Sequence, residues 1–144
     1  MTNILIVDDE ILAAKQVRTY LSNEGYSSTF ILKPAVLFQM LGNKTFDLIL
    51  MDINMPDING VTLLKELKKH PVYHKIPVIM LTGDTNEQIL STCFEMGAID
   101  YITKPISELI LKARINSALM IKATEEELER RVEQRTKELE EANK

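Results

Sequence analysis

The sequence predicts an α/β fold, a parallel sheet of five strands covered by helices on both faces. Three observations carry this. Short apolar runs alternate with stretches whose apolar residues recur every three or four positions. The apolar runs are continuous, as in strands buried on both faces. Five such strand–helix pairs follow one another within the first 120 residues, and parallel neighbours need crossovers of that kind.

The elements follow in order. Residues 3–7, NILIV, read as a buried strand. Ile11, Ala14, Val17, Arg18 and Leu21 fall near one helical stripe, and Gly25 supplies the stop. Residues 27–32 hold Thr, Phe and Ile and read as a second strand. Pro34 opens a short helix to about Leu41, which Gly42 and Asn43 end. Residues 48–51 are strand-like and run into Asp52; residues 60–69 are helical, with Val61, Leu64 and Leu67 three apart. A strand over 78–81, a helix over 86–96 ended by Gly97, and a short strand over 100–103 come next. A last helix starts near Ile106.

Composition narrows the function. The chain has 144 residues, enough for one domain and an extension, with 45% hydrophobic and 26% charged residues. A net charge of -4 gives no electrostatic reason to expect nucleic-acid binding in this segment. Cys93 is the only cysteine, which excludes an intrachain disulfide and a zinc cluster of cysteines. Acids by Asp8 do not suit a signal peptide, and runs such as ILIV and LILM are too short to span a bilayer. The expected location is cytoplasmic, with no membrane contact.

In a parallel sheet of this kind ligands bind beyond the carboxyl ends of the strands. Asp8 and Asp9 follow the first strand, Asp52 ends the third, Thr82 the fourth, and Lys104 follows the fifth. Each has a plain alternative: an acid after a strand often caps the next helix, and a lysine before Pro105 can be an ordinary turn. Their conjunction favours a site. Crowded carboxylates repel one another unless a cation sits among them, and hard oxygen ligands around an open cavity suit Mg2+. His70 and His74 read as surface residues, Cys93 as a small packed one, and KELKK at 65–69 as a solvated helix face.

With DD, D-x-x-M-P-x-x-x-G, T and K-P in this order and spacing, residues 1–121 resemble the receiver domain of two-component response regulators (CheY-like). The resemblance implies a doubly wound, flavodoxin-like sheet in the order 2-1-3-4-5 with five helices. It implies that Asp52 takes a phosphoryl group from a sensor histidine kinase or phosphotransfer protein. Asp9 and Asp52 would hold Mg2+ through side chains, Asp8 directly or through water, and Asn54 through its backbone carbonyl. Lys104 and Thr82 would contact phosphoryl oxygens, and Thr82 and Tyr101 would form the switch. Asn54 and Asp84 would tune autohydrolysis, the small Gly83 would leave the acceptor accessible, and Lys104–Pro105 would be a cis peptide. Two rivals fit less well. A haloacid dehalogenase phosphatase needs a second Asp two residues after the nucleophile, where this chain has Asn54. A nucleotide-binding module wants a phosphate loop after the first strand, where this chain has DDE.

Residues 122–144 change character: 14 of 23 are charged and none is Gly or Pro. They read as a helical connector. Ile121, Leu128, Val132, Leu139 and Ala142 fit a thin coiled-coil seam interrupted by Glu125 and Arg135. The expectation is a weak parallel homodimer that passes a change to an output domain beyond Lys144; any output enzyme would lie outside this chain.

Overall fold

The computed structural model describes residues 1–83 and 86–143. The strands are β1 (Asn3–Val7), β2 (Ser27–Ile31), β3 (Leu48–Asp52), β4 (Val78–Thr82) and β5 (Asp100–Thr103). All neighbours pair in parallel, in the order β2-β1-β3-β4-β5. The helices are α1 (Ile11–Asn23), α2 (Leu37–Asn43), α3 (Gly60–Lys69), α4 (Glu87–Glu95) and α5 (Glu108–Ala142).

The unbroken apolar strands are explained by two cores. Successive residues of a strand point to opposite faces. Leu5, Val7, Ile49, Met51, Val78 and Met80 pack with Leu41 of α2, Leu64 and Leu67 of α3 and Cys93 of α4. Ile4, Ile6, Leu48, Leu50, Ile79 and Leu81 pack with Ala14, Val17 and Leu21 of α1 and Leu111, Ile115 and Ala118 of α5. A polar residue in the middle of β1, β3 or β4 would therefore be buried whichever way it faced.

Element ends differ slightly from the sequence reading. Residues 34–36 form a 3-10 turn ahead of α2, because Pro34 suits a first turn but supplies no N–H. Gly42 and Asn43 lie within the last turn of α2 rather than after it. Helix α4 begins after Asn86, whose side chain accepts the Gln88 N–H at 2.8 Å. Helix α5 begins after Ser107, whose Oγ accepts the Ile110 N–H at 3.4 Å. Gly25 and Gly97 do stop helices, at φ of 81° and 105°, where a side chain is strained.

Two residues placed on the surface by the sequence reading are tied in. His70 Nδ1 accepts the backbone N–H groups of Val72 and Tyr73, and its ring stacks on Phe38 and Tyr73. Lys68 is half-buried, and its Nζ donates to the carbonyls of His74 and Ile76. No helix among the described residues is long and apolar enough to cross a membrane.

Helix α5 has 35 residues, about 52 Å at 1.5 Å per residue. Past Lys122 nearly every side chain is exposed, including Leu128, Val132 and Leu139. Arg130 and Arg131 both pair with Glu127, at 2.8 and 3.1 Å, and Arg135 pairs with Glu138 at 3.7 Å. Such pairs support the projecting turns by a few tenths of a kcal/mol each, about 0.2–0.5.

Candidate functional site

The register of the sheet assembles the site. Val7 is level with Met51, so Asp8 and Asp52 leave adjacent strands side by side. Asp52 is level with Leu81, and Thr82 with Thr103, so Thr82 and Lys104 reach the same edge. The cis Lys104–Pro105 bond follows β5, and the Lys104 N–H donates to the Thr82 carbonyl at 2.7 Å.

Asp8, Asp9 and Asp52 each bring a carboxylate oxygen to within 4.8 Å of the others. Lys104 Nζ lies 3.2 Å from Asp8 Oδ2 and 3.4 Å from Asp52 Oδ2. The remaining oxygens of these two acids are held locally. The Glu10 N–H donates to Asp8 Oδ1 at 3.0 Å, and the Asn54 N–H donates to Asp52 Oδ1 at 3.2 Å. Asp8, Asp52 and Thr82 are buried, whereas Lys104 is a quarter exposed. Asp9 Oδ1 is buried and has no hydrogen-bond partner among the described residues. A buried carboxylate oxygen left without a donor is costly, and a cation beside it removes the cost. The donor set therefore fits a hard divalent ion.

Electrostatics agree. Burial pushes the Asp52 carboxyl up to about 6, the charge of Asp8 adds to this, and Lys104 pulls it back. Burial opposes the charge on Lys104, but Asp8 and Asp52 outweigh it and hold the ammonium above its ordinary range. With the Asp52 carboxyl raised from 3.8 to about 6, the folded state keeps a proton that the unfolded state has lost. In metal-free buffer, stability therefore declines as pH rises from about 4 to about 6 and then levels. A divalent cation held by Asp52 would compete with that proton, so Mg2+ affinity should rise over the same window. Calorimetric titration and thermal melts between pH 4 and 8 measure both. A flat profile in each would contradict the burial argument.

Two features of the site were not apparent in the sequence. One is the bond from Lys104 to Asp8, across 96 residues. The other is Gly60. A Cβ built there collides with the Asp52 carbonyl oxygen and comes within 3.0 Å of Ile53 Cα and the Asp52 carbonyl carbon. The Gly60 N–H donates to the Ile53 carbonyl at 2.8 Å, which holds α3 against the end of β3. The glycine in the motif was the signal, but only the close approach gives it a task. At Gly83 no atom of the described residues lies within 4 Å of a Cβ placed there. Tyr101 is half-buried, and its ring meets Phe94 edge-on at 5.9 Å. The expected role of Asp84 falls outside the described residues.

Comparison with known proteins agrees with this architecture. The profile of the response regulator receiver domain matches residues 4–116. TorR, the TorCAD operon transcriptional regulatory protein of Escherichia coli, is 34% identical over 117 residues, covering 81% of this chain and 50% of that protein. A probable cyclic di-GMP phosphodiesterase of Vibrio cholerae is 34% identical over 127 residues, covering 85% of this chain and 28% of its own. The chain thus spans about half or less of the length of these curated relatives. Among solved structures, a CheY-like receiver domain protein from Methanospirillum hungatei superposes with a TM-score of 0.80 at 29% identity, covering 87% of this chain and 98% of that one. With the matched segment running from β1 into α5, and the acidic pocket of Asp8, Asp9 and Asp52 at the strand ends, the chain belongs to the response regulator receiver domain family of two-component signalling.

Proposed function

We propose that this chain is a phosphorylation-controlled switch in which Asp52 accepts a phosphoryl group from a histidine kinase or phosphotransfer protein. The observation that carries the reading is the buried Asp52 carboxylate, held between Lys104 and two further acids, one with an unpartnered oxygen. An Asp52 oxygen attacks phosphorus as the bond from phosphorus to the donor histidine nitrogen breaks, and the imidazole leaves. Lys104, already 3.4 Å from Asp52, pairs with a phosphoryl oxygen, and Thr82 receives another. Asp8, Asp9, Asp52 and the Asn54 carbonyl would hold Mg2+, which when bound neutralises charge on the transferring group. The Asn54 and Glu10 N–H groups fix the carboxylates before the donor arrives, so little reorganisation is left.

Acetyl phosphate with Mg2+ tests this. It should label the chain once, at Asp52, as an acid-stable, hydroxylamine-labile acyl phosphate located by mass spectrometry. Asp9→Ala should weaken Mg2+ binding at least about tenfold, because affinity in such sites follows ligand charge. Stoichiometric label at any other residue refutes the assignment.

The same reading extends to the tail. Thr82 and Tyr101 respond to the phosphoryl group, and the change passes along α5 to whatever segment it joins, with residues 1–121 as the receiver and 122–144 as a connector. Two tails would pair weakly and in parallel through Leu128, Val132 and Leu139, since Glu125 and Arg135 interrupt the seam. Sedimentation of the full chain and of residues 1–121, with and without beryllofluoride, measures this. The full chain should self-associate more strongly, and more so with beryllofluoride. Two monomeric species in both states would leave the tail as a solvated linker.

A further inference from the structure

The stripe of α5 that packs on the sheet continues past the edge of the sheet. Leu111, Ile115 and Ala118 are buried. Steps of three and four residues carry the same face on to Lys122, Glu125, Glu129 and Val132. This face passes the amino ends of the strands, opposite the acidic pocket, and meets two loops. Lys122 Nζ lies 3.8 Å from Asp47 Oδ1 and 3.5 Å from the Asp47 carbonyl, just ahead of β3. Lys75 Nζ, between α3 and β4, lies 3.0 Å from Glu129 Oε2. Lys68 bonds the carbonyls of His74 and Ile76, at 3.1 and 2.9 Å, and so ties the segment carrying Lys75 to α3. An open cavity of about 430 Å³ remains between loop and tail, lined by Lys68, Lys75 and Lys122 on one side of the charge balance and by Glu125, Glu126 and Glu129 on the other.

Lys75 is placed to do more than pair with one acid. It shares a shallow groove with Leu128, Val132 and Glu129. Its aliphatic stem can cover apolar surface while its ammonium stays in water. Leu128 and Val132 are also the residues a second tail would need. Beyond Val132 the seam holds Leu139 and Ala142 with Arg135 between, too little apolar surface for a stable pair of helices. The receiver's own loop and a second copy of α5 therefore compete for the same turns.

We propose that Lys75 is an intramolecular latch: paired with Glu129 beside Leu128 and Val132, it holds the tail on its own receiver and keeps a second copy's tail off the start of the seam. This rests on the reading of the tail as a parallel dimerisation helix, and adds that the receiver itself restrains it. The latch weakens with salt, because both partners are more than half exposed.

Charge reversal tests it. Lys75→Glu and Glu129→Lys should each open the latch, and the double variant K75E/E129K should restore it with the charges exchanged. An exposed pair accounts for roughly two- to fivefold, and a dimer opens two latches. Each single variant should therefore tighten dimerisation about four- to twenty-five-fold at low salt, and the double variant should return to within about twofold of wild type. Hydrogen exchange is read in parallel, at a dilution where every variant is monomeric. Amides of residues 122–132 should exchange faster in the single variants and recover in the double. If wild type dimerises while the single variants match it in both measurements, the latch is overturned and the dimer reading stands. A double variant that dimerises as tightly as the singles also overturns it, because the effect then belongs to the helix surface and not to the pair. If no variant dimerises at any concentration although exchange responds, the dimer reading fails, and masking with it.

Discussion

Asp52→Asn should remove the acetyl phosphate-dependent label, a loss of more than about 100-fold, because an amide is not a nucleophile toward phosphorus under these conditions. The substitution keeps the shape of the side chain, so the fold should persist. It should do more than persist in metal-free buffer. Asp52 is buried beside Asp8, and these two influences hold its carboxyl at about 6. Above that pH a neutral residue in its place avoids both the desolvation and the repulsion. Lys104 keeps its bond to Asp8 Oδ2 at 3.2 Å and is not stranded. Asp52→Asn is therefore expected to melt at or above the temperature of wild type at pH 7, and to lose most of the stability change between pH 4 and 6. Retained stoichiometric label would refute Asp52 as acceptor. Lost label together with a large fall in melting temperature would show that the substitution damaged the fold, and the acceptor would then need mapping in wild type alone.

Gly60→Ala should combine a stability loss with a chemical one. The added methyl meets backbone atoms of Asp52 and Ile53, not the end of a flexible side chain, so the clash cannot be relieved by a rotamer change. Either α3 moves away from β3, opening the Gly60–Ile53 bond, or the end of β3 moves and carries Asp52 with it. Overpacking of this kind costs about 1–3 kcal/mol. A displacement of Asp52 by even a fraction of an ångström from Lys104 and its neighbouring acids should slow labelling about ten- to a hundredfold. Thermal melting and acetyl phosphate labelling read the two effects separately. Normal melting with normal labelling would mean that the backbone absorbs the methyl, and that the tight approach at Gly60 has no part in placing Asp52.

Much of this protein is written in local signals. Continuous runs such as ILIV and LILM demand burial on both faces, which requires helices above and below the sheet, and the two observed cores are that arrangement. Helix stops at Gly25 and Gly97 were legible because positive φ is a local demand. The acids after β1, the acid ending β3, the hydroxyl ending β4 and the lysine after β5 were legible as a set because every parallel strand delivers its carboxyl end to one edge. What remained hidden depends on distances between parts far apart in the chain. Composition marks Lys68 as one more charge on a polar helix face, yet the turn after α3 folds back and gives it two carbonyls. A histidine such as His70 looks like surface until a proline-led turn brings two backbone N–H groups to its ring. Gly60 needs its neighbour across α3 and β3 before its missing side chain means anything. The tail shows the same division. Its helical period and its charges are local, but the contact of Lys75 with Glu129 exists because α5 leaves the sheet at one particular angle past the α3–β4 segment. Periodicity and turn chemistry are encoded within a few residues. The sheet register and helix direction that decide which side chains meet are set by the packing of the whole domain.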